Sequence, residues 1–267
     1  MANPEPRKRR APGKAGPPQP SVTSKALSVL AVFESGHARL ALSGIARHAQ
    51  LPITTAQRLL AELVEWGALE RVGNSYMVGK RLWCLGMVAP VQRDITEVAS
   101  PFMQDIFFAT QHSVNLFVID DGEALLVDRV AGTRSGKQFL RVGERLPLHA
   151  SAAGKVLLAF GGSDLVKSLP MKLPQSTSKT LSTRRALEVE LEQIRVAGFA
   201  VSHEESGLGK YAVAVPVLEP GLGAVAAMGV ITEGEPPALG SIVPVLRTAA
   251  NGVGRGLPGN YQAEIVV

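Results

Sequence analysis

An α+β chain of two parts is predicted, a small helical head followed by a larger mixed domain, and three observations predict it. The 267 residues exceed what one compact domain usually takes and suit two, at roughly 100 to 200 residues each. Apolar residues recur at three- and four-residue spacing as far as Leu63, and after Gly67 the pattern changes to short strands. From Val114 onward, apolar strands alternate with helical segments, the signature of a sheet with helices on its faces.

Residues 1–20 carry Pro4, Pro6, Pro12, Pro17, Pro18 and Pro20 among charges and are expected to form a disordered basic tail, because they cannot bury enough apolar surface to offset ordering entropy. From Ser21, the residues Ala26, Leu27, Leu30 and Phe33 share one helical face until Gly36 offers a stop. A second, short helix is expected from Ser43, a candidate cap, with Ile45, Ala46 and Ala49 inward. A third starts near Pro52 with Ala56, Leu59, Leu60, Leu63 and Val64 inward, and Gly67 closes it. Only Gln50 and Leu51 separate these two helices, so they must cross steeply, which is helix-turn-helix geometry. Strands at 68–72 and 75–78, turning at Gly73 and Asn74, make a hairpin directly behind the third helix, and that is a wing. The winged helix-turn-helix therefore spans residues 21–79.

Residues 80–89 present Leu82, Trp83, Leu85, Met87 and Val88 on nearly every face, a composition that demands burial, here expected against another subunit. A linker helix is accordingly expected over 80–93, broken at Pro90. The second domain, 94–257, opens with a helix at 94–109 and strands at 114–119, 124–130 and 138–142. Helices follow at 151–160, 164–169 and 183–197, strands at 199–203, 211–218 and 223–232, and a helix at 237–254 before a tail at 258–267.

The net charge of +5 is unevenly spread: residues 1–20 hold five basic side chains against Glu5, while residues 83–267 are slightly acidic. A polyanion should therefore meet the N-terminal third, where a basic arm adds sequence-blind attraction to phosphate. No apolar stretch reaches the roughly 18 residues of a membrane span, and no apolar h-region follows the basic start, so a cytoplasmic protein is expected. The single cysteine, Cys84, cannot form an internal disulfide and is expected as a small buried apolar residue.

Chemistry is expected in two places. On the third helix, Thr54, Thr55, Gln57, Arg58 and Glu62 are not committed to the core. Arg can bond guanine O6 and N7 together, Gln can do the same at adenine N6 and N7, and Thr can meet phosphate or a thymine methyl. Arg71, beside the hairpin tip, would lie near phosphate or the minor groove. In the second domain, residues 143–155 end a strand, turn at Pro147 and begin a helix of very small residues, whose unpaired amides at Ala152 and Ala153 favour a carboxylate. Gly154-Lys155 is not a phosphate loop, because His149 stands where its first glycine is required and Val156 where its Ser or Thr is required. His203, Glu204 and Glu205 lack metal-ligand spacing and read as solvated charges, so neither metal nor cofactor is expected. No GxSxG, GxGxxG or paired-Cys motif gives an enzyme reading a constellation to stand on.

Several blocks together resemble the IclR family of bacterial transcription regulators, over residues 22–255. The helix-turn-helix block is Leu42-Ser-Gly-Ile-Ala-Arg-His-Ala-Gln-Leu-Pro-Ile-Thr-Thr-Ala-Gln-Arg-Leu-Leu60, followed by 63–67 and Tyr76-Met-Val-Gly79. In the second domain the blocks are Leu146-Pro-Leu-His-Ala-Ser-Ala-Ala-Gly-Lys-Val-Leu-Leu-Ala159, Gly198-Phe-Ala with Glu204-Glu205, and Ala212-Val-Ala-Val-Pro-Val217. The resemblance implies a GAF-like sensor joined to the DNA-binding head by the linker helix, a homo-oligomer (dimer or tetramer), and control of catabolic genes by a small organic acid, with repression the expected direction; the alternatives are an effector-blind regulator whose second domain only oligomerises and, further behind, a metabolic enzyme. It implies double-stranded DNA and that acid as partners, no membrane and no catalysis. In family members that sense small keto acids, the pocket uses backbone near the residues matching Ala152 and Ala153, plus polar side chains matching Ser202, Ala212, Gly229 and Ile231. Here Ala212, Gly229 and Ile231 are not polar, and a compact charged ligand would be left uncompensated. The expected effector is therefore an aromatic or medium-chain acid resting against Leu146, Met228 and Ile231, with Ser202 and the helix amides on its carboxylate.

Overall fold

The computed structural model describes residues 20–88, 93–132, 140–219 and 221–258. Residues 1–19 of the expected tail, the break at Pro90, residues 138 and 139 of an expected strand, and residues 259–267 lie outside these. Contacts divide the chain into two compact units, Met1–Ala89 and Pro90–Val267.

The first unit holds helix α1 (Val22–Ala31), strand β1 (Leu40–Ala41), helices α2 (Leu42–His48) and α3 (Ile53–Trp66), and strands β2 (Leu69–Val72) and β3 (Ser75–Val78). Ser21 caps α1 by accepting from the Ser24 amide at 3.0 Å, and a 3₁₀ turn at Val32–Ser35 carries the chain to Gly36. Val29, Ile45, Leu59, Leu60 and Leu69 form the core, so one residue or more from each of three helices meets the root of the wing. The wing has a third strand that periodicity did not reveal: β1 is only two residues long and pairs Leu40 with Tyr76 and Ala41 with Ser75. Its pairing, not a side chain, sets the start of α2. Ser43 lies inside the helix and Ala41 at its head makes no side-chain cap, contrary to expectation.

The helix-turn-helix connection is four residues, 49–52, where two were expected. Gln50 takes φ 54°, a left-handed conformation uncommon for a residue with a Cβ, and this lets the Leu51 amide donate to Ala46 O at 2.9 Å. Gly67, at φ 85°, stops α3 at low cost.

Helix α4 (Lys80–Gly86) follows and buries none of its residues; Trp83 is 61% exposed and Val88, just beyond, 78%. Cys84 is likewise exposed, which corrects the expectation of a buried thiol: the whole helix stands off the core, and Cys84 with it. Two contacts hold the start of α4, one to the wing and one to the end of α3. The Glu70 carboxylate accepts from the Lys80 amide at 3.1 Å, and the Arg81 guanidinium stacks 4.3 Å from the Trp66 ring while donating to Trp66 O at 3.0 Å.

The second unit begins with α5 (Arg93–Thr110), then β4 (Val114–Asp120), β5 (Glu123–Val130) and β6 (Arg145–Pro147). Helices α6 (Ala152–Phe160), α7 (Ser163–Ser168) and α8 (Arg184–Ala197) precede β7 (Ala200–His203), β8 (Lys210–Glu219), β9 (Gly223–Glu233) and α9 (Leu239–Gly256). The strands form one six-stranded sheet in the order β6-β5-β4-β9-β8-β7, every pair antiparallel. Its α+β class is as expected. The strand expected at 138–142 is absent from its described part: Glu144 N donates to Arg141 O in a turn, Gly143 and Glu144 then bond to the Leu126 backbone, and regular pairing begins at Arg145 opposite Leu125.

Alternation along the strands builds two cores, one on each face of the sheet. Leu116, Val118, Val215 and Met228 pack with Met103 of α5 and Leu246 of α9. Phe117, Ile119 and Ala227 pack with Leu157 of α6 and Leu187 and Leu191 of α8. Each fully buried Leu or Phe side chain contributes about 1.5–3 kcal/mol, which is why the central strands β4 and β9 read as nearly unbroken apolar runs. No described helix is long and apolar enough to cross a membrane.

Helix α6 is held close to the turn before it by a missing side chain. A Cβ on Gly154 would stand 2.4 Å from both Cα and O of Leu148. Gly154→Ala should therefore destabilise the second unit by about 1–3 kcal/mol in urea denaturation, the usual cost of overpacking. Unchanged stability would show that this close approach is not kept.

Candidate nucleic-acid interface and ligand pocket

On α3, Ala56, Leu59 and Leu60 are buried, and the helical period turns Thr54, Gln57 and Arg58 outward, with Thr55 half-buried beside them. Arg58 meets Glu62 at 3.8 Å, but both side chains are more than half exposed. Such a pair contributes little, so a guanine edge could displace it. A groove runs between α3 and the wing, lined by Ser43, Ile53, Gln57, Arg71, Asn74 and Tyr76. It brings Gln57 and Arg71, both expected at DNA, to one groove, and adds Asn74 and Tyr76, which were not foreseen. Tyr76 could have been found from the hairpin register, which sets it opposite Arg71. Arg71 donates from Nε to Gly73 O at 3.1 Å, so its stem braces the two-residue turn at the tip.

In the second unit a pocket of about 570 Å³ of atom-free space, mouth included, opens at the N-terminus of α6. Ser151 caps the helix: its Oγ accepts from Gly154 N at 3.1 Å and donates to Pro147 O at 2.9 Å. The amides of Ala152 and Ala153 are first-turn donors of the kind that favour an anion, and both residues line the cavity. The floor is a row across three strands, since Ser202 pairs with Ala212 and Ala212 with Ile231. Behind it, Gly229 sits opposite Ala214, where a Cβ would meet Val213 O at 2.5 Å. Leu146 and Phe117 close the apolar wall.

Seven of the eight residues expected here therefore line one cavity: Leu146, Ala152, Ala153, Ser202, Ala212, Gly229 and Ile231. Met228 does not. It lies between Gly229 and Ala227 on β9, so its side chain points through the opposite face into the core with Leu116 and Val215. Sequence reading missed Ser206, Lys210 and Tyr211, which also line the pocket.

Next to the pocket lies a buried ionic cluster. Lys155, one turn into α6, is fully buried, with its Nζ 2.5 Å from Glu190 of α8 and 2.7 Å from Glu205. Glu205 is thus not a solvated charge at a strand end, as expected, but a buried one. Thr180 donates to Glu205 O at 2.6 Å, and the Glu204 carboxylate accepts from Gly209 N at 2.8 Å, so the loop carrying Ser206 is tied down from two sides. No group of three or more potential metal ligands occurs among the described residues.

Burial pushes the Glu205 carboxyl above the usual carboxylate range, against the opposing pull of Lys155 and with help from the nearby Glu190 charge. The folded chain then binds this proton at a higher pH than the unfolded chain does. The stability from this linkage is fully present below the ordinary glutamate range and is lost as pH rises through the raised folded value. Compared with Glu205→Gln, the wild type should accordingly lose relative stability in urea as the pH rises through that window; the opposite slope would mean that attraction to Lys155 outweighs burial. Lys155→Met should cost about 3–5 kcal/mol by stranding two carboxylates, and adding Glu205→Gln should return part of that loss.

Comparison with known proteins agrees with this architecture. The pattern described as bacterial transcriptional regulator IclR C-terminal matches residues 88–250, and the IclR helix-turn-helix domain matches residues 22–73. The chain is 29% identical over 229 residues to the transcriptional repressor IclR of Escherichia coli K12, covering 82% of this chain and 84% of that protein. It is 30% identical over 224 residues to the acetate operon repressor of Salmonella typhimurium, covering 80% and 82%. Among solved structures, an IclR homolog from Microbacterium hydrocarbonoxydans complexed with 4-hydroxybenzoate superposes with a TM-score of 0.78 at 29% identity, covering 89% of this chain and 99% of that one. A winged helix-turn-helix at the head, a six-stranded sensor-like unit behind it, and a family pattern over more than half its length lead to one conclusion: the chain belongs to the IclR family of DNA-binding transcriptional regulators.

Proposed function

We propose that this regulator is a repressor of catabolic genes that reads DNA with Thr54, Thr55, Gln57, Arg58 and Arg71 and is controlled by an aromatic or medium-chain acid in the α6 pocket. The observation that carries the effector reading is the floor of that pocket: helix amides and Ser202 are placed for a carboxylate, and Ala212, Gly229 and Ile231 give the rest of a ligand an apolar surface that suits a ring or chain better than a small keto acid. The 4-hydroxybenzoate held by the similar Microbacterium protein supports the same class. The apolar surface of α4 and the two residues after it, with Trp83, Leu85, Met87 and Val88 exposed, supports self-association through this segment.

Fluorescence anisotropy of labelled DNA from beside the protein's own gene, in fixed salt with unlabelled competitor, tests the reader. Binding should resist competitor in the wild type and lose that resistance in Arg58→Ala, a change of roughly 1–3 kcal/mol at one base pair. Equal, competitor-sensitive binding by both proteins would reduce the head to a non-specific basic arm. Calorimetric titration tests the sensor: benzoates should bind and pyruvate should not. Tight pyruvate binding with none for aromatic acids would reject the effector class. In sedimentation, Trp83→Glu should shift the oligomer toward smaller species; an unchanged distribution would remove α4 from the interface.

A further inference from the structure

The three strands of the wing sheet set a row of side chains across one face. Leu40 of β1 pairs with Tyr76 of β3, Tyr76 pairs with Arg71 of β2, and residues directly opposite in an antiparallel pair share a face. That face is the one turned toward the helices. Arg71 follows the buried Leu69 by two residues, and Leu40 lies against α2, where its Cδ2 would stand 3.7 Å from a Cβ on Gly44. The Tyr76 ring packs half-buried on the core of the first unit and lines the groove between α3 and the wing, with Arg71 exposed beside it. Packing alone would be served by a plain phenyl ring. Among the described residues, none bonds the Tyr76 hydroxyl. Arg71 commits its Nε to Gly73 O, which fixes the stem, while its terminal nitrogens bond no described residue. None of the residues that line the groove is acidic.

We infer that Tyr76 and Arg71 form a seat for one phosphodiester of the DNA backbone, which holds the duplex in register while α3 reads the bases. This rests on the DNA-reading face proposed above and goes further, because it separates Arg71 from the base-reading residues and adds Tyr76 as a contact. A guanidinium gives a phosphate oxygen a charge-assisted hydrogen bond, and a neighbouring hydroxyl donates to the second oxygen; neither bond distinguishes one base pair from another. Opposite residues on paired strands stand about 4.5–5.5 Å apart at Cβ, close enough for two long side chains to meet one phosphate.

The test is fluorescence anisotropy of the full chain on two labelled duplexes of equal length, DNA from beside its own gene and a scrambled sequence, over a series of salt concentrations. Tyr76→Phe keeps the ring and removes only the hydroxyl. It should weaken binding to both duplexes by the same factor, roughly three- to tenfold, with an unchanged salt slope because no cation is lost. Arg71→Gln should also weaken both equally and should reduce the log-log salt slope by about 0.9, the share of one phosphate contact. Neither change should alter the preference for the gene's own DNA, in contrast to Arg58→Ala. Wild-type affinity in Tyr76→Phe, or a loss confined to one duplex in either variant, would overturn the seat. The reading face is judged separately: a preference that survives in Arg58→Ala would overturn that reading, whatever the Tyr76 and Arg71 variants do.

Discussion

A single buried ammonium organises the second unit. Lys155 sits without solvent exposure between Glu190 and Glu205, and each of the three charges comes from a different element: α6, α8 and the loop after β7. A charge taken out of water is stable only where partners surround it, and replacing such a cluster with well-packed apolar groups is often neutral or favourable for stability. What the cluster adds is geometry. Any arrangement in which α8 or the loop slides away leaves an unpaired buried charge, so the elements that wall the ligand pocket are held to one placement. The small residues at the start of α6 work in the same direction, letting the helix sit directly on the turn at Leu148.

From that fixed frame the pocket acquires its character. The helix contributes amides, and the floor contributes Ser202 and otherwise hydrocarbon. First-turn amides favour an anion at one end of the pocket, and most of the floor is hydrocarbon. Control of DNA binding then requires only that the ligand bind the DNA-competent and incompetent arrangements of the protein with different affinities, shifting their populations. At the other end of the chain, the reading surface is simpler. A buried stripe on α3 commits three positions to the core, and the same periodicity leaves Thr54, Gln57 and Arg58 outward.

Elements with strong local signals were legible from the residues alone. The turn chemistry of Gly67 and Gly73, the helical spacing of apolar residues in α1 and α3, and the apolar runs of β8 and β9 are local properties, and they located most helices and strands to within a few residues, whereas the capping hydroxyls of Ser21, Ser151 and Thr183 were identified only in the structure. The elements that escaped were those defined by a distant partner. Two residues at Leu40–Ala41 become a strand only because β3 lies beside them, and β6 forms at Arg145 because it faces Leu125. The apolar residues of α4 asked for burial that the described residues do not supply, and Cys84 is exposed for the same reason.

The two-part α+β class, the helix-turn-helix with its wing and the outward face of α3 were legible in the residues, because periodicity and turn residues act within a few positions along the chain, whereas Ser202, Ala212, Gly229 and Ile231 were placed in the pocket only through the family resemblance. Only the tertiary fold sets which residues of each strand face the α6 pocket. A residue's neighbours in space follow from strand pairing over long separations: Met228 and Ile231 both suit an apolar wall by composition, yet register sends the first into the opposite core and the second into the pocket. The same long-range pairing turned Glu205 inward to meet Lys155, fifty residues earlier.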